Sequence, residues 1–263
     1  MIMATHTLVS QSPITSQSYW QRAAAVGGLG LVGIFGLWLQ PIPAEVIKAL
    51  PAAPELAPWM LKALLLINPL VLLLIATLTG AALAHRVGLG SVLAGTAPAQ
   101  RQSEPFIIAI LGGLILGAAL GWLDQLLLPW LPDAWQQITR QRPMDGTNLM
   151  AAMLYGGLSE EIMLRWGLMS LLAWLMLRWL AMPIRTAMPV AIALNAFVFG
   201  AAHLPAITLY IEPTAALFGR TLLINGLAGA AYGWLFWRYH LEAAMAAHAA
   251  SHIGMFAIYL MLG

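Results

Sequence analysis

Residues 155–168 read YGGLSEEIMLRWGL, placing two adjacent glutamates and an arginine in the middle of an apolar run. In a chain that is 61% hydrophobic and only 8% charged, such a cluster needs a reason. Charged side chains at membrane depth cost roughly 2.5–3.5 kcal/mol each on insertion scales, so those present have a partner, a cavity or a task. Glu161 and Arg165 are four apart, acid before base, and on a helix they meet on one face and neutralise each other. Glu160 is rotated by about 100° from Glu161 and has no cation at i+3 or i+4. One glutamate therefore reads as structural and its neighbour as available for chemistry.

Working outward, the mean hydropathy of +0.82 and the eleven tryptophans place the chain in the membrane class. Apolar runs fall at about residues 22–40, 60–84, 105–123, 148–180, 188–205, 214–237 and 243–262, each near or above the ~20 residues of a helical crossing. The expected fold is all-α, a polytopic transmembrane helical bundle of about seven to eight spans. The run 148–180 is too long for one crossing, so it is expected to bend or break after Arg165 and to continue as a second, partly interfacial helix.

Residues 1–21 form a polar, Ser/Thr-rich tail without the cationic start of a secretory signal, and residues 22–263 read as one membrane domain without internal repeats. The segments 41–58 and 126–146 mix Pro, Trp and charge, which suits helices lying at the interface. Gly113, Gly117 and Gly121 put small residues on one helix face and predict close helix packing.

The chain has no cysteine, which excludes disulfides, thiolate metal sites and thiol nucleophiles. Net charge is +2 with no block of like charge, which argues against a nucleic-acid surface. With seven spans, Arg22, Arg86, Arg101, Arg178, Arg185 and Arg238 fall on the side of the N-terminus. Lys48, Lys62, Arg140, Arg142 and Arg220 fall on the other. Six against five favours a cytoplasmic N-terminus.

Of the six histidines, His6, His85 and His240 fall in the tail or near loop ends, where water can reach them. His203 ends FVFGAAH, and His248 and His252 sit four apart in AAHAASHIG, inside apolar helices. A bundle can turn these three toward Glu160. A carboxylate beside an imidazole activates a water, and further donors can stabilise the oxyanion formed when that water attacks a carbonyl. Water, base and oxyanion donors together describe peptide hydrolysis.

Three motifs in order then resemble the CAAX protease and bacteriocin-processing family of membrane glutamic endopeptidases, also labelled abortive-infection proteins. They are Glu-Glu-x-x-x-Arg as Glu160, Glu161 and Arg165, Phe-x-x-x-His as Phe199 to His203, and a third motif starting at His248 and ending at His252. The resemblance covers about residues 148–260. It implies an intramembrane α-helical endopeptidase, with Glu160 and His203 activating the water and His248 helping to stabilise the oxyanion. Glu161 and Arg165 would support the helix geometry. The family usually carries Asn or Asp where this chain has His252, which can still donate a hydrogen bond.

That departure also keeps zinc open, since Glu160, His203, His248 and His252 form an acceptable ligand set if they converge. A catalytically inactive membrane scaffold of the same fold is the other alternative. The leading expectation is metal-free hydrolysis, without a cofactor, of a peptide or protein substrate presented at the lipid bilayer. The protein would sit in the cell inner membrane.

Overall fold

A computed structural model describes residues 17–49, 56–97, 105–141 and 145–262. Among them the chain is all-helical, without strands. Residues 1–16, with most of the expected tail and His6, lie outside the described residues, as do Arg101 and Arg142.

Each apolar run became a helix. α1 spans Tyr19–Leu39 and starts before the run does, because Ser18 and Gln21 form a reciprocal capping box. A short α2, Ala44–Ala49, precedes α3, Pro58–Leu83, which ends in a 3-10 turn, Ala84–Val87. α4 spans Pro105–Leu127 and α5 Asp133–Gln141. α6, Gly146–Leu154, opens a composite helix that closes with α7, Ser170–Arg178. α8 is Ile184–Ala202, α9 Leu204–Thr208, α10 Ala215–Arg238 and α11 Leu241–Leu262.

Among the described residues, five helical stretches are long and apolar enough to cross a membrane: Tyr19–Leu39, Pro58–Val87, Pro105–Trp130, Ile184–Thr208 and Leu241–Leu262. The expected seven to eight also counted the composite helix and α10. Both are diluted by polar residues, Glu160, Glu161 and Arg165 in the first, Arg220, Asn225 and Arg238 in the second. The outer faces carry exposed apolar residues such as Leu74, Ile107, Ile115 and Phe197, while Trp20, Trp59, Trp130 and Trp179 are exposed near helix ends. That is the surface of an integral membrane protein, apolar toward lipid with tryptophans toward the interfaces.

Polar contacts tie the helix ends together. Arg22 donates from Nε and Nη2 to the Ala81 carbonyl, and Lys62 Nζ donates to the Trp38 carbonyl at 2.7 Å, fastening α1 to α3 at both ends. Asp124 on α4 takes Arg220 of α10 through both carboxylate oxygens, at 2.7 and 2.6 Å, and accepts from the Tyr259 hydroxyl of α11. His240, expected within reach of water, is instead fully buried between α10 and α11, where its Nδ1 accepts from the Ala243 amide and lies 3.1 Å from Glu242. His85 is half-buried.

The composite helix does not break after Arg165. It passes through two π-helical stretches, Tyr155–Glu160 and Ile162–Met169, before returning to α geometry. A π turn displaces carbonyls from ordinary i→i+4 bonding, and such turns persist where other groups serve the backbone. Asn195 of α8 donates to the Leu164 carbonyl at 2.7 Å, and the Ser170 hydroxyl lies 3.5 Å from the Arg165 carbonyl. Ser159 reaches across to the Gly30 carbonyl of α1 at 2.8 Å.

α4 lies against α11 along its glycine face. A Cβ added at Gly117 would sit 1.9 Å from the Ser251 carbonyl oxygen, and one at Gly113 would sit 2.3 Å from that of Ala247. Gly254 returns the fit, since its Cβ would meet the Leu114 carbonyl. Backbones approach this closely only where side chains are absent.

Candidate active site

The Glu161–Arg165 pair forms as its spacing dictates, with Nη1 3.0 Å from Oε1 and both side chains fully buried. The same Oε1 also accepts a hydrogen bond from His248 Nδ1 at 2.8 Å. Arg165 reaches further, donating from Nη2 to the Gly229 carbonyl on α10 and covering the rings of Phe199 at 4.6 Å and Tyr232 at 5.3 Å. Glu161 is thus the hub of a buried network that joins the composite helix to α8, α10 and α11.

His248 is fixed on three sides. Its ring stacks on Tyr232 at 4.4 Å and on His252 at 5.0 Å, and meets Phe199 edge-on at 5.7 Å. Tyr232 is held in turn, because Ser251 donates to the His248 carbonyl at 2.7 Å and leaves its oxygen to accept from the Tyr232 hydroxyl at 2.5 Å. A carboxylate only accepts, so His248 carries hydrogen on Nδ1 and, when neutral, a lone pair on Nε2.

His203 stands at the C-terminal end of α8, where its Nδ1 donates to the Phe199 carbonyl at 2.8 Å and its ring meets Phe199 edge-on at 4.8 Å. That bond leaves its Nε2 with a lone pair as well. Phe199, buried, serves both histidines, one through its backbone and both through its ring.

Glu160 is half-buried and makes no hydrogen bond or salt bridge among the described residues. It lines a cavity of about 210 Å³ together with His203, His248 and His252. Four side chains from the composite helix, α8 and α11 therefore come together around one space. Gly156 makes room for it: a Cβ there would lie 2.7 Å from His252 Nε2 and 3.0 Å from His248 Nε2. Among the described residues, no three His, Asp or Glu side chains are grouped to hold one metal ion.

Sequence reasoning passed over Tyr155, Asn225, Tyr232 and Ser251, which line the same cavity. Asn225 in LLINGLAG and Tyr232 in GAAYGWLF are lone polar groups in apolar runs, the same signal that singled out the histidines.

Residues 144–254 match one family model, described as type II CAAX prenyl endopeptidase Rce1-like. All seven residues of the three motifs fall within that range. No curated protein and no solved structure matches the chain.

Proposed function

We propose, taking the Rce1-like match of residues 144–254 as the premise, that this protein is a membrane-embedded endopeptidase of the glutamic type, hydrolysing a peptide or protein tail presented at the bilayer. The observation that carries the reading is the convergence of Glu160, His203, His248 and His252 on one cavity.

Glu160 takes a proton from a water that His203 Nε2 orients, and the water oxygen attacks the scissile carbonyl carbon. The carbonyl oxygen becomes an oxyanion held by donors of the cavity. On collapse the C–N bond breaks and Glu160 returns the proton to the departing amine. Positioned proton transfer of this kind contributes typically 10²–10⁴-fold. The Glu161–Arg165–His248 network holds the walls in place. The scheme involves no metal, and prenylation of the substrate is not part of it.

The test compares protein N- and C-termini, by mass spectrometry of whole membranes, between cells carrying the native chain and cells carrying Glu160→Gln. A defined set of termini is expected to vanish in the variant, and purified protein should cleave peptides spanning those sites. Unchanged termini at equal accumulation would overturn the reading and favour a scaffold. Elemental analysis should find no stoichiometric zinc in active protein; one zinc per chain, lost in His203→Ala, would replace the metal-free scheme.

A further inference from the structure

An oxyanion needs hydrogen-bond donors, and most of the hydrogens around the cavity are already committed. The Tyr232 hydroxyl donates to Ser251, and Ser251 donates to the His248 carbonyl. His203 and His248 each spend the Nδ1 hydrogen, on the Phe199 carbonyl and on Glu161, so their neutral rings present only acceptors. Glu160, acting as the base, is an acceptor too. The groups with a hydrogen left to give are His252, Tyr155 and Asn225, with Gln40 further along the wall at the end of α1.

Asn225 stands apart from the rest in being aimed. Its Nδ2 lies 2.9 Å from the Thr221 carbonyl on the preceding turn of α10. A carbonyl only accepts, so the amide is oriented with nitrogen toward Thr221, and the second N–H on that nitrogen is unspent. The hydroxyl of Tyr155 rotates freely about its C–O bond, whereas the Asn225 amide is fixed before substrate arrives. Fixed donors stabilise developing charge because they need no reorganisation at the moment of reaction. A carboxamide in the middle of an apolar helix, satisfied on one side only and bordering a polar cavity, is otherwise an uncompensated cost.

We infer that Asn225 is a catalytic oxyanion donor, acting from α10 opposite His252 of α11 on the carbonyl oxygen of the scissile peptide. The inference rests on the peptidase reading above and adds a residue outside its three motifs.

The experiment uses the full-length protein and a peptide spanning a site whose cleavage disappears in Glu160→Gln. Asn225→Leu keeps the volume and removes the donor; its kcat is expected to fall by about 10²–10³-fold, as for loss of one oxyanion-hole donor, with KM within threefold. Asn225→Asp, nearly isosteric but an acceptor when ionised, should fall at least as far. If the leucine variant fails to accumulate, Asn225→Ser takes its place, because the hydroxyl can serve the Thr221 carbonyl but is too short to replace the amide. A kcat within threefold of native in a folded Asn225 variant, while Glu160→Gln is dead, overturns the inference and leaves the peptidase reading standing. If Glu160→Gln changes no terminus in the membrane comparison, the peptidase reading falls and this inference with it.

Discussion

Arg165 serves one carboxylate, one backbone carbonyl and two aromatic faces with a single guanidinium, all of them buried. Arg165→Ala leaves Glu161 as an unpaired buried charge, so it is expected to destabilise by roughly 3–5 kcal/mol, read as a lower melting temperature in detergent. Arg165→Lys should recover only part of this, since an ammonium cannot reproduce the planar fork or its stacking on Phe199. The two glutamates should separate cleanly: Glu160→Gln abolishes turnover with little change in melting temperature, whereas Glu161→Gln lowers the melting temperature. Equal thermal effects from the two would contradict the division of labour. The Glu161–Arg165 pair was legible in the sequence because four residues on a helix settle it locally. That His248 is a second partner of the same carboxylate, 87 positions away, depends on how helices pack and leaves no trace in spacing.

Between α4 and α11 the fit is made of backbone against backbone. Gly117→Ala forces a methyl group onto the Ser251 carbonyl, whereas Gly112, five residues earlier, has nothing within 4 Å of an added Cβ. Gly117→Ala is therefore expected to lower the melting temperature and to impair turnover by shifting His248 and His252, while Gly112→Ala changes neither. Equal stability of the two variants would refute the close seam. The glycine face itself was readable from the sequence, though its partner helix was not. The expected bend or break after Arg165 came from length arithmetic at the α-helical rise, and the helix runs on without a break. The chain instead uses π turns whose backbone is served by Asn195 of α8 and whose first stretch is tied to α1 through Ser159, groups remote in sequence. Five described stretches have the length and apolarity of a crossing, while the composite helix is divided by its π turns and α10 carries Arg220, Asn225 and Arg238.

At the scale of the whole molecule, the apolar outer faces and the tryptophans near helix ends were foreseeable from composition, since a bilayer selects side chains by depth. The six-against-five cation count, which assumes seven spans, predicts that a reporter fused to the N-terminus registers as cytoplasmic; a reporter protected from the cytoplasm would reverse that prediction. The glycine seam bears on synthesis as well as on shape. α11 emerges from the ribosome after every other described helix, and it carries His248 and His252 while resting on α4, made more than a hundred residues earlier. Until α11 slots into that waiting groove, the network around Glu161 lacks His248 and the cavity lacks one wall. On the peptidase reading proposed above, the cavity is therefore complete only once α11 has docked on α4.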